Sequence, residues 1–278
     1  MGHRSRLGAQ LLWAALPLIV VAAMSAALPA QTAKTAGSRP EAWLVAHLRL
    51  AGPPSGASGK FQVDQTWTPA RGGSDPVDLA RVTFFDSVEL ELPITRHGRP
   101  LSRRRARAAN RQLRRMQARV RVAWRGPRDD GRLVVVDNRV MRIDALIQRF
   151  DWRALGMGSY LGQACRRFAF APRPGRVIGG RAKRVMAAMG GQICVDPDSG
   201  LLLEVQFHNQ EPVKFGLGVL GDFHAIRGSF ALQRAGGAWT WGRTVIHLRG
   251  RELWFDKSGT MVKQYQLPSG YSAATRPQ

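Results

Sequence analysis

Thiols are almost missing from this chain: Cys165 and Cys194 are the only two cysteines in 278 residues. Two thiolates do not make a zinc site, which usually takes four ligands. Acidic residues are also few, 19 Asp and Glu against 42 Lys and Arg. Lysine itself is sparse, confined to positions 34, 60, 183, 214, 257 and 263, so arginine carries most of the net charge of +23. There is no Gly-x-Ser-x-Gly elbow, no His-Glu-x-x-His helix and no phosphate-binding loop. The spaced glycines of Phe215-Gly216-Leu217-Gly218-Val219-Leu220-Gly221 lack the βαβ context that a dinucleotide site needs. Catalysis is therefore not expected, nor is a cofactor or a metal. Asp222 and His224 lie on one side of a strand, an acid/base spacing that recurs by chance. Nucleic acid is not expected as a partner, because no recognition motif accompanies the charge.

What is present begins at the N-terminus. His3, Arg4 and Arg6 precede an apolar run from Leu11 to Ala23 and a small-residue stretch, Ser25-Ala26-Ala27-Leu28-Pro29-Ala30. Basic head, apolar middle and small-residue tail form a signal peptide, so residues 1–30 are expected to direct export to an envelope compartment such as the periplasm, with cleavage near Ala30. An uncleaved anchor is the alternative, because Leu11 to Ala30 approaches the roughly 20 residues that span a bilayer. Residues 31–40 read as a flexible leader, 41–270 as one domain and 271–278 as a disordered tail. In an oxidising compartment an isolated pair of cysteines reads as a disulfide, with two buried free thiols as the alternative. The loop it would close, about 30 residues, is worth roughly 3–4 kcal/mol in the chain-entropy model.

Ser38, Pro40 and Glu41 start a short amphipathic helix carrying Trp43, Leu44, His47, Leu48 and Leu50, and Gly52 to Gly59 breaks it. From Phe61 the period becomes two, with Phe61, Val63 and Trp67 against Gln62, Asp64 and Thr66. Val77 to Ile94 reads as a second long strand. Ser102 then caps a helix containing Arg103, Arg104, Arg105, Arg107, Arg111, Arg114, Arg115, Arg119, Arg121 and Arg125, with Leu113, Met116 and Val120 as a thin apolar stripe. Such a helix either lies on an anionic membrane surface, with Arg103, Arg104, Arg107, Arg111, Arg114 and Arg115 as contacts, or is a solvated connector. Gly126 to Arg132 is a turn, and Leu133 to Val136 is too short to interpret alone.

Ile143, Leu146, Ile147 and Phe150 recur at helical spacing. Strands follow at Leu161–Ala171, Gln192–Val195, Leu201–His208, Ala225–Gln233, Trp239–Arg249, Glu252–Asp256 and Thr260–Leu267. A basic helix, Arg181 to Met189, interrupts them and stops at Gly190-Gly191. Pro172-Arg173-Pro174-Gly175, Asp196 to Gly200, Gly236-Gly237 and Lys257-Ser258-Gly259 supply the turns. His208 and His247 alternate with apolar neighbours and are expected on outer sheet faces.

Three stretches carry a family likeness: Gly98-Arg99-Pro100-Leu101-Ser102, Ile143-Asp144-Ala145-Leu146-Ile147-Gln148-Arg149-Phe150-Asp151-Trp152, and Phe168-Ala169-Phe170-Ala171-Pro172-Arg173-Pro174-Gly175. With the strand from Gln192 to Phe207, they extend it over roughly residues 60–267. The chain resembles uncharacterised exported relatives of the outer-membrane lipoprotein carriers. The resemblance implies a mainly β fold, a curved antiparallel sheet forming an unclosed half-barrel with a few short helices on its concave side. It also implies a non-catalytic role in binding or carrying a lipid-like ligand or lipoprotein acyl chain, on a face lined by Phe168, Phe170, Leu203, Val205, Phe207, Phe230, Leu232, Trp239 and Trp241. The alternative is a structural or interaction protein whose sheet is filled by its own side chains. The nearly all-Arg helix departs from the many such relatives that mix Glu and Lys there. Oligomeric state is not legible.

Overall fold

The computed structural model describes residues 40–51, 60–70, 78–85, 88–96, 98–123, 132–136, 139–173, 181–215, 220–235, 238–253 and 255–266. The signal segment 1–30, the leader up to residue 39, the tail and the turns expected at 52–59, 126–131, 174–175 and 236–237 lie outside them. The described residues build one large antiparallel sheet that does not close into a barrel. Its main strands are β1 (Lys60–Pro69), β2 (Asp78–Phe85), β3 (Val88–Pro93), β8 (Phe150–Tyr160), β9 (Gln163–Pro172), β10 (Met189–Val195), β11 (Leu202–Asn209), β13 (Gly221–Ala235), β14 (Ala238–Glu252) and β16 (Gly259–Gln266). They lie in the order β3-β2-β1-β16-β14-β13-β11-β10-β9-β8, with β12 (Val213–Phe215) on β13 and β15 (Phe255–Asp256) on β14. Two small hairpins stand apart, β4 (Thr95–Arg96) with β5 (Arg99–Pro100), and β6 (Leu133–Val136) with β7 (Arg139–Arg142).

Among the described residues four helices accompany the sheet: α1 (Pro40–His47), α2 (Arg103–Ala123), α3 (Ile143–Ile147) and α4 (Arg181–Ala188). Helix α1 is shorter than its periodicity suggests. It ends at His47, and Leu48 to Ala51 continue in extended form, where Arg49 forms a parallel bridge with Leu201. Leu44, Leu48 and Leu50 are all buried against the sheet, so the apolar spacing is real although only Leu44 is helical. The Arg132 guanidinium donates to the carbonyl oxygens of Val45 and Ala46, a cation at the negative end of the helix.

Three other expectations are corrected. Val77 to Ile94 is a hairpin rather than one strand, since β2 and β3 pair in antiparallel register from Ala80↔Pro93 to Phe85↔Val88. Phe150 to Tyr160, not anticipated as a strand, is edge strand β8. Gly190 and Gly191 do not cap α4 but lie inside β10. A Cβ on Gly191 would stand 1.8 Å from the Gln206 carbonyl oxygen, so close strand approach explains this glycine. Leu133 to Val136, too short to interpret from sequence, gains its meaning by pairing with β7.

The cysteines are joined. Cys165 on β9 and Cys194 on β10 form a disulfide with their Cα atoms 5.5 Å apart. The bridge ties together the two strands that flank α4.

Candidate functional site

Pairing registers trace a row of residues across the face that α1 covers. It runs Phe168, Ile193, Val205, Phe230, Thr244, Lys263, Gln65 and Asp78, from β9 to β2. A parallel row runs Trp152, Phe170, Gly191, Phe207, Gly228, Ile246, Met261 and Trp67. A Cβ on Gly228 would stand 2.3 Å from the Val245 carbonyl oxygen and 2.5 Å from the Phe207 ring, so strand approach and the ring together account for this glycine.

The structure brings together eight of the nine residues read as ligand-lining. Phe168, Phe170, Leu203, Val205, Phe207, Phe230, Leu232 and Trp241 are buried in one apolar cluster, and Trp239 is half-buried against it. The side chains packed with them are the chain's own: Leu44, Leu48 and Leu50 from the α1 segment, Leu146 and Ile147 from α3, and Val185 and Met186 from α4. Trp43 stacks on Phe168 at 5.4 Å, and the Arg166 guanidinium lies over the Trp43 ring at 4.9 Å from its centre. Arg173 links Glu41 on α1 to Asp151 on β8, at 2.8 and 2.7 Å. Those two hydrogen bonds raise the Arg173 guanidinium above its usual range. The Trp241 indole donates to the Ala51 carbonyl at 3.0 Å. Helix α1 therefore sits on the apolar rows as a stopper, held at its rim by side-chain contacts.

The other end of the row is polar and was not singled out from sequence. Lys263 is only 1% exposed and pairs with Glu91, whose side chain is 12% exposed. Thr244, its partner on β14, is buried too. A signal existed: Lys263 is in phase with Met261 and Tyr265, so period two alone puts it on the inward face.

Helix α2 lies elsewhere. Its stripe, Met116 and Val120 with Leu113 partly buried, packs on Val88 and Leu90 of β3 and on Leu133 and Val135 of β6. Val88 and Leu90 alternate with Glu91, so α2 covers the hairpin face opposite the one bearing Lys263 and Glu91. Arg103, Arg104, Arg107, Arg111, Arg114 and Arg115 are all exposed, and the helix contains no acidic residue. The nearby Arg96 guanidinium is held below its usual range by burial and by Arg105, with Asp78 pulling it back.

His224 Nδ1 is 3.8 Å from Asp222 Oδ1, with its ring largely exposed. His208 is exposed, and His247 Nδ1 is 2.8 Å from the Thr260 hydroxyl. Among the described residues no three His, Cys, Asp or Glu side chains gather as a metal set, and no helix is long and apolar enough to cross a membrane.

The chain is similar to proteins of the LolA superfamily. One such protein from Nitrosomonas europaea superposes with a TM-score of 0.34 at 9% identity, covering 83% of this chain and 92% of its own. A putative outer membrane lipoprotein-sorting protein domain from Vibrio parahaemolyticus gives 0.32 at 9%, covering 78% and 88%. A DUF1329 family protein from Desulfovibrio piger gives 0.35 at 11%, covering 78% and 89%. No family model and no curated protein matches. At such scores these are distant likenesses, and the chain's own residues must carry any functional reading.

Proposed function

We propose that this is a non-catalytic, exported protein of the cell envelope that binds or carries an amphipathic, lipid-like ligand on the face now covered by α1. The observation that carries the reading is the row itself, apolar from Phe168 to Phe230 and polar from Thr244 to Asp78, beneath a helix of eight residues. When α1 swings away, the apolar set from Phe168 to Trp241 is available to an acyl chain, at roughly 25 cal/mol per Å² of apolar surface buried before association costs. The exposed arginines of α2 orient the protein on anionic headgroups, each adding about 1 kcal/mol near such a surface. The leader sequence and the Cys165–Cys194 bridge support export. Nucleic acid and cofactors have no part in it.

A second reading, a scaffold whose sheet is filled by its own side chains, is favoured by the burial of Phe168, Val205 and Phe230 against the chain's own helices. Native mass spectrometry of protein purified from the envelope separates the two. A near-stoichiometric lipid adduct, identified after extraction, is the expected result. A clean protein mass that stays clean when anionic and neutral lipids are offered overturns the carrier reading and leaves the scaffold.

A further inference from the structure

We infer that Lys263 anchors the anionic head of the ligand, a carboxylate or phosphate ester, taking it in exchange for Glu91; this rests on the carrier reading above. Position is the first argument. Phe168 and Lys263 occupy the same row, five strand spacings apart, about 24 Å at roughly 4.8 Å per strand. A long acyl chain laid over the apolar end therefore brings its head to Lys263.

Chemistry is the second. Lys263 is the least exposed of the buried cationic side chains. A buried ion pair is a poor stabiliser, since apolar residues of similar volume serve as well or better. An ion pair at the end of an apolar row is better explained by exchange with a ligand than by stability. The exchange is feasible because Glu91 belongs to edge strand β3 and keeps some exposure, so on displacement it returns to water. Thr244 and Gln65 face Lys263 from the two neighbouring strands, adding a hydroxyl and an amide donor around an incoming anion. A lysine also suits this role: its compact ammonium is a point charge with three donors that can change partners, unlike the arginines of the surface.

The test is calorimetric titration of the full chain with oleate, oleoyl lysophosphatidate and monoolein, each below its micelle concentration. Three proteins are compared: wild type, Glu91→Gln, and Lys263→Met combined with Glu91→Met. The wild type should bind at least one anionic amphiphile about tenfold more tightly than monoolein. Glu91→Gln, which keeps the cation and removes its competitor, should widen that ratio several-fold. The double variant should bring it to about one with monoolein affinity unchanged. If the double variant does not fold, as judged by near-ultraviolet circular dichroism, Lys263→Gln with Glu91→Gln is titrated in its place. Wild-type binding of all three ligands with equal affinity, or a preference that survives the double substitution, overturns the inference and leaves the carrier reading standing. No binding of any of them to the wild type overturns that reading, and the inference with it. Oleate and lysophosphatidate distinguish carboxylate from phosphate.

Discussion

The two ends of one sheet row make opposite use of the same geometry. From Phe168 to Phe230 every inward position is apolar and sealed by α1 and α3, whereas from Thr244 to Asp78 every inward position is polar. The first end is held by packing, which tolerates no lost volume. The second is held by a few directional contacts, among them Lys263 with Glu91, whose worth depends on both partners being present. The division belongs to this one row, since the row beside it stays apolar over the same strands through Ile246, Met261 and Trp67.

The sharpest way to break this contrast is to remove volume. Phe230→Ala, beside Trp241 at 4.8 Å, should destabilise the protein by about 4 kcal/mol, against less than about 1 kcal/mol for Gln65→Ala at the half-buried polar end. Denaturant unfolding of the two variants measures the difference, and equal losses would remove the distinction. Replacing Cys165 and Cys194 by Ala should cost about 3.5 kcal/mol. Hydrogen exchange should rise first in β9 and β10, the apolar end. Glu91→Met alone should cost about 3 kcal/mol by stranding the buried Lys263, and adding Lys263→Met should restore most of it. If the double variant is no more stable than the single one, the polar end is not organised around that pair.

A smaller effect tests the seam between β8 and β13. The Tyr160 hydroxyl donates to the Leu232 carbonyl at 2.7 Å, and burial, with help from Glu204, raises its pKa above the usual 10.0. The folded protein therefore holds this proton where the unfolded chain releases it. The contribution is complete below pH 10.0 and is lost as pH rises through the higher folded value. Tyr160→Phe should cost about 1 kcal/mol at neutral pH, and its stability should fall less steeply above pH 10.0, which alkaline denaturant titrations of the two proteins would reveal. Least of all on stability, changing Arg103, Arg104, Arg107, Arg111, Arg114 and Arg115 to Gln should shift unfolding by less than about 0.5 kcal/mol. The same variant should lose co-sedimentation with phosphatidylglycerol vesicles, and retained co-sedimentation would remove α2 as the contact surface.

Much of this molecule was legible in its residues. Period two located β1, β9, β11, β13, β14 and β16, arginine spacing located α2, and cysteine number with the export signature pointed to the bridge that joins Cys165 to Cys194. These are local signals, or ones that need only one possible partner. Helix α1 was half legible, because a stripe of leucines says that a segment is buried but not where it leaves the helix for a bridge to Leu201. The β2–β3 hairpin was missed because no Gly or Pro stands between Val77 and Leu92, although Phe85-Asp86-Ser87 breaks the alternation. Only the tertiary structure decided which strands are neighbours, and hence which residues share a row. Lys263 and Glu91 are 172 positions apart, and nothing local links them. Alternation assigns each to a face, but the order β3-β2-β1-β16 is what places them on the same stretch of it, since a strand's own sequence specifies its pleat and not its partner.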